Sequence, residues 1–172
     1  MPGMIQIYTG NGKGKTTAAL GLTLRALGAG KNICVIQFLK TENTCEFKCI
    51  KKNLPMIKIK CFGSGKFINK NNISQKEKGI ARKAFLETKK AFESNKYDLL
   101  VLDELNLAIY FRLIELNEII GLLENKPKKL EVVITGRYAP KELLKKADLV
   151  TEMKEKKHYF KKGIKARKGI EY

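Results

Sequence analysis

The chain has 172 residues, 44% of them hydrophobic and 30% charged, which fits a single soluble globular domain able to bury about two-thirds of its unfolded surface. Its formal charge is +18, yet only five of the 35 basic residues are arginines, and no aromatic platform is interleaved among the scattered lysines. That pattern argues against a nucleic-acid polymer and for a solvated surface that draws in anionic ligands.

No apolar run approaches the length of a membrane span, and the first strand begins within a few residues of Met1 with no signal peptide before it. A cytoplasmic location is the expectation. Four cysteines, Cys34, Cys45, Cys49 and Cys61, match no zinc spacing and read as reduced thiols. The sole histidine, His158, reads as a surface or packing residue.

In chain order, residues 4–8 form a short β-like run. Thr9-Gly-Asn-Gly-Lys-Gly-Lys-Thr-Thr17 follows, and residues 16–27 place Leu20, Thr23, Leu24 and Leu27 at helical spacing before Gly28 and Gly30. A glycine- and lysine-rich turn between strand and helix is a triphosphate cradle. Small residues let backbone N–H groups converge on phosphate oxygens, and the helix presents its positive end. Lys15 neutralises phosphate charge and the Thr16 hydroxyl reaches toward Mg²⁺. The spacing departs from G-x-x-x-x-G-K-[ST], because Thr9 stands where the first glycine belongs, Gly10 comes one place late, and Lys13 adds a cation.

Residues 33–38 form a second apolar strand, and residues 57–62 another after a polar stretch. Ser74 and Glu77 make a capping box that opens a long helix to about Phe92. The run 99–102 reads as a strand covered on both faces and ends on Asp103-Glu104. A helix at 116–123, a buried strand at 132–135, a short helix from Pro140 to Lys146 and a strand at 149–153 complete the pattern, followed by a lysine-rich tail at 154–168. The alternation predicts an α/β fold, a mostly parallel sheet with helices on both faces, in one domain spanning residues 1–172.

Ligands of such sheets collect at the carboxyl ends of the strands. Three ends carry reactive groups here: the phosphate loop, Asp103-Glu104, and Thr135-Gly136-Arg137. Asp103 and Glu104 suit a second metal-binding motif beside Thr16, or else an acidic helix start. Arg137 is either an anion clamp or a surface ion pair, and Arg25 faces either phosphate or solvent. Read from the residues alone, these pieces serve a small kinase or a nucleic-acid-stimulated ATPase as well as any other chemistry on Mg-ATP.

The segments Tyr8 through Ala19, Val101-Leu-Asp-Glu-Leu105, Ile134-Thr-Gly-Arg137, Ala147-Asp-Leu-Val-Thr-Glu-Met153, Lys157-His158 and Gly163 through Tyr172 resemble the P-loop type of ATP:cob(I)alamin adenosyltransferases, in the family's order. The resemblance implies a RecA-like fold. It also implies transfer of the 5′-deoxyadenosyl group of ATP to the cobalt of a reduced corrinoid with release of triphosphate, ATP lying in the reverse sense to ordinary P-loop enzymes. Carried over by position, Gly10, Asn11, Gly12, Lys13, Gly14, Lys15, Thr16 and Thr17 hold ATP, with Arg25 on a phosphate. Thr16 and Glu104 address Mg²⁺, and Lys13 and Lys15 supply charge to the leaving group. Where relatives read Gly-x-Gly-Phe-x-Trp, this chain has Gly63-Ser-Gly-Lys-Phe-Ile68 and no tryptophan; either Phe67 substitutes as the implied corrinoid contact by a one-residue shift, or the corrinoid sits differently. A homodimer is implied, and the basic surface suggests an acidic electron-donor protein. A protein that binds ATP, with or without corrinoid, but does not turn over is the remaining alternative.

Overall fold

A computed structural model describes residues 2–65, 68, 70 and 73–172. Its elements are β1 (Ile5–Thr9), α1 (Lys15–Gly28), β2 (Ile33–Phe38), α2 (Cys45–Asn53), β3 (Ile57–Phe62), α3 (Gln75–Glu93), β4 (Leu99–Asp103), α4 (Leu105–Tyr110), α5 (Leu116–Glu124), β5 (Glu131–Thr135), α6 (Lys141–Lys146) and β6 (Leu149–Glu152). The strands form one six-stranded sheet in the order β3-β2-β4-β5-β1-β6, and every pairing is parallel. This is the α/β nucleotide-binding architecture expected from the sequence, with β5 standing between the strand that feeds the phosphate loop and the strand that ends in Asp103.

Side chains alternate across the sheet and build two cores. Ile33, Val35, Leu99, Val101 and Val133 face one side and pack with Ala19 of α1 and Ile50 of α2. Cys34, Ile36, Phe38, Leu100, Leu102 and Ile134 face the other, under α3 to α6. The helices divide this way because the chain travels toward one edge through β3 and then reverses, and crossovers of one hand place the later helices on the opposite face. All residues of β2, β4 and the end of β5 are buried, as continuous apolar runs in a two-sided parallel sheet require.

Three local readings change. The stripe on α1 is rotated: Lys15, Ala19 and Thr23 face the sheet, while Leu24 is 58% exposed. Small residues won that face because β4 and β5 lie close beneath the helix, whereas Leu24 borders an open cleft. The polar stretch before β3 contains α2, capped by Thr44, whose hydroxyl accepts from the Phe47 amide at 3.4 Å. Its only buried residues are Phe47 and Ile50, too few for a periodic signal. Pro140 is the cap residue of α6 rather than part of its first turn. The capping box is as expected, with Ser74 and Glu77 satisfying each other's amides.

Cys34 lies in the core of β2, where burial pushes its thiol up to about 11, and burial likewise pushes the Cys61 thiol up to about 12. Cys49 is exposed. Since the thiolate is the nucleophile, iodoacetamide at pH 8 is expected to label Cys49 well before Cys34 or Cys61. Peptide mass spectrometry over a time course checks the order, and early labelling of Cys61 would contradict it.

Candidate active site

The loop after β1 curls around the ammonium of its own lysine. Lys15 Nζ donates to the carbonyls of Gly10 at 2.7 Å and Gly12 at 2.8 Å, and the side chain is nearly buried. Burial lowers its pKa; Glu104 and Asp103 oppose that and Arg137 adds to it, so all three charges are felt at the loop. The two early glycines are needed for close approach, because a Cβ on Gly10 or Gly12 would lie 2.4 or 2.7 Å from the Met153 carbonyl oxygen just beyond β6. The Gly12 amide donates to that oxygen at 2.7 Å. The shortened spacing thus follows from a loop that rests on the end of β6. Gly14, with φ +114, turns the chain into α1.

Beside the loop lies a buried polar network centred on Asp103, 1% exposed. Its Oδ1 accepts from the hydroxyls of Thr16 at 2.9 Å and Thr135 at 2.6 Å. Its Oδ2 accepts from Gln37 Nε2 at 3.0 Å and pairs with Lys40 Nζ at 2.9 Å. Burial disfavours the Asp103 charge, but Lys40 and the hydroxyl donors more than offset it and hold the carboxyl below its ordinary range. Lys40 responds in the same sense, raised by Asp103 against the effect of burial. Glu104 follows with φ +61 as the N-cap residue of α4, an acidic helix start, and its side chain makes no cap bond. Burial, then the Asp103 charge, raise the Glu104 pKa, against the opposing pull of Lys40, Lys15 and Arg137.

The loop from Gly12 onward, Thr16 and Lys40 at the edge of the network, and Arg137 line one cleft of about 1070 Å³, just above the usual size of a small-molecule site. Lys13, Gly14, Thr16, Thr17 and Glu104 lie on it, as do the exposed side of α1 (Leu20, Leu24) and an apolar wall of Leu107, Phe111 and Tyr138. Tyr138 stacks on Tyr110 with ring centroids 4.2 Å apart. Asn11 lies on a neighbouring depression with Arg137. Arg25 is exposed in the last turn of α1, about 15 Å along the axis from Lys15, and does not line the cleft. Phe67 lies outside the described residues.

The lysine-rich tail returns to the site. Lys13 Nζ contacts the Tyr159 hydroxyl at 3.1 Å, the Ile170 carbonyl at 3.0 Å and the Glu171 carboxylate at 3.0 Å. Glu171 also accepts from Tyr159 and from the Arg167 amide, and Gly169 through Tyr172 line the cleft with His158. Arg167 first, then Tyr159, hold the Glu171 carboxyl well below its usual range. With its folded pKa depressed, its contribution to docking is full above the unfolded value near ~4.3 and fades only as pH falls through the lower folded value. Glu171→Gln is therefore expected to free the tail and speed carboxypeptidase trimming severalfold at pH 7. Wild type at pH 4 is expected to keep its tail docked, read by tyrosine fluorescence; an unchanged trimming rate in the variant would refute the anchor.

The family model described as ATP:corrinoid adenosyltransferase BtuR/CobO/CobP matches residues 1–172. The chain belongs to this family. Corrinoid adenosyltransferases of Sinorhizobium sp., Pseudomonas aeruginosa and Escherichia coli are 36%, 35% and 33% identical to it, each over 99% of this chain and over 80%, 84% and 86% of their own lengths. In this adenosyltransferase-family chain the loop, Glu104 and Arg137 line one cleft, with Asp103 buried behind Thr16. Sequence reasoning missed Lys40, the Tyr110–Tyr138 wall and the anchoring role of Tyr159 and Glu171. Glu171 lies in the family-like segment Gly163 through Tyr172, but nothing there links it to Lys13; only the fold brings these residues to the site. Among the described residues no helix is long and apolar enough to cross a membrane.

Proposed function

We propose that the chain transfers the 5′-deoxyadenosyl group of Mg-ATP to the Co(I) centre of a reduced corrinoid. The cobalt attacks C5′, a cobalt–carbon bond forms, the C5′–O bond breaks, and triphosphate departs with the electron pair. The observation that carries this reading is the shortened glycine loop wrapped around Lys15 in a chain matched by the family over its whole length. Residues Gly10 to Thr17 receive the triphosphate. Lys15, released from the loop carbonyls, and Arg137 face the charge that develops on the leaving group. Lys13 is shared with Glu171, so its charge is partly offset and its larger part is fixing the loop to the tail.

The site suits a magnesium ion. The Thr16 hydroxyl and the Asp103 and Glu46 carboxylates already gather around a cation, the Lys40 ammonium, and Glu104 lies on the same cleft. Thr16 and Glu104 would hold the magnesium ion, and bound there it would neutralise triphosphate charge. The wall of Leu107, Phe111 and Tyr138 is the surface we assign to the corrinoid, since it is the apolar, aromatic part of the cleft. A cytoplasmic homodimer, implied by the family resemblance, and an acidic electron-donor protein complete the reading; the charge of +18 supports the acidic donor.

Anaerobic incubation with Mg-ATP and chemically reduced Co(I) corrinoid tests it. Equal amounts of a light-sensitive cobalt–carbon product and of intact triphosphate are expected. ADP without adenosylated corrinoid would make the chain a kinase or ATPase, and ATP binding without either product would make it a binding protein.

A further inference from the structure

We propose that Lys40 is the resident counter-ion of the cation position, and that the metal accompanying ATP must displace it. The inference rests on the Mg-ATP reading above and adds a residue to it. Lys40 Nζ lies 2.9 Å from the Thr16 hydroxyl and 2.9 Å from Asp103 Oδ2, so it occupies the Thr16 oxygen that a divalent ion beside the phosphate loop would address and holds the adjoining Asp103 carboxylate. Ammonium and metal cannot share that place. Asp103 has both oxygens fully engaged by Lys40, Gln37, Thr16 and Thr135, and a metal reaching Thr16 has to open this network.

The backbone of Lys40 is fixed while its side chain has somewhere to go. Leu39 has φ +59 and donates its amide to the Phe62 carbonyl at 2.8 Å. Gly63 packs so closely that an added Cβ would be 2.6 Å from Lys40 N. The ammonium already lies 4.0 Å from Glu46 of α2, and both residues line the cleft. A rotation of the side chain carries the charge from Asp103 toward Glu46 and the entering phosphates. In the nucleotide-free chain Lys40 keeps Asp103 paired and repels free divalent cations; with nucleotide present, the phosphates supply the ligands that let the metal win, and Lys40 turns to the triphosphate. Lys40 is thus a positioning residue.

Mn²⁺ binding to the nucleotide-free protein, followed by electron paramagnetic resonance, tests this without corrinoid or turnover. Lys40→Met is expected to bind Mn²⁺ about tenfold or more tightly than wild type, because a like charge has left the site. Mn²⁺ is also expected to raise its Tm more than that of wild type. Lys40→Gln, which keeps a donor for Asp103 without the charge, gives the same comparison if the methionine variant does not fold. Equal or weaker Mn²⁺ binding in the variant overturns the proposal. A crystal structure of wild type with Mg²⁺ and triphosphate gives an independent reading: Lys40 Nζ is expected to have left Asp103, and finding it still bridging Thr16 and Asp103 also overturns the proposal. Wild-type turnover with unchanged metal binding in the variants would refute the counter-ion and leave the adenosyltransferase reading intact.

Discussion

Lys15→Ala is expected to lower kcat about 100- to 1,000-fold, the usual effect of removing one donor aimed at charge that develops in a transition state. In the structure its ammonium is buried at the mouth of the loop and held by two carbonyls, Gly10 and Gly12, that give the loop its shape. On the proposed mechanism triphosphate would replace those carbonyls as partner, so the nitrogen that orders the loop would meet the leaving group. Folding is expected to survive. The side chain's direct contacts are its two bonds to carbonyls, about 1.5–3 kcal/mol each for a charged donor, while Ala19 and Thr23 keep α1 on the sheet. Lys15→Arg is not expected to restore the rate, because a planar fork cannot take the place of a compact ammonium between two carbonyls. Initial rates of cobalt–carbon bond formation, with circular dichroism as the folding control, decide it; a folded alanine variant with near-normal kcat would remove Lys15 from the reaction.

Asp103→Ala is expected to act first on stability. It leaves the Lys40 ammonium without its buried partner, a change that costs about 3–5 kcal/mol when a buried pair is broken from one side. It also strands Thr16, Thr135 and Gln37, each of which donates to Asp103. Removing both charges, in Asp103→Ala with Lys40→Met, is expected to destabilise by less than the sum of the single changes, and a double-mutant cycle in urea measures that coupling. Strict additivity would show that the pair is not energetically linked. The pH dependence has a fixed sign. A folded pKa below the unfolded value of about 3.9 means the Asp103 contribution is complete above that value and is lost as pH falls through the folded one. Asp103→Asn is therefore expected to flatten part of the acid limb of the stability curve.

These two residues mark the boundary of what the sequence carries. Lys15 is legible because a phosphate cradle is a local object: glycines, a lysine and a hydroxyl within eight positions, between a strand and a helix, have few other uses. The same holds for β2, β3 and β4, whose apolar runs match the observed strands almost residue for residue, and for the Ser74–Glu77 cap. Asp103 is half legible. Its place at a strand end is in the sequence, but its partner Lys40 is 63 positions away and reaches it only because β2 and β4 are neighbours, with Gln37 opposite Asp103.

By itself the sequence determined the parallel α/β class, the phosphate loop and the acidic strand end, since periodicity and turn chemistry act over a few residues. The tertiary structure decided the rest. It turned Leu24 outward by packing small residues against the sheet, and it seated Gly10 and Gly12 on the end of β6. It brought Tyr159 and Glu171 back onto Lys13, and it set Lys40 between Thr16 and Asp103. Each of these is a long-range contact, fixed by which strands are adjacent and how closely backbones approach, and no local pattern encodes either.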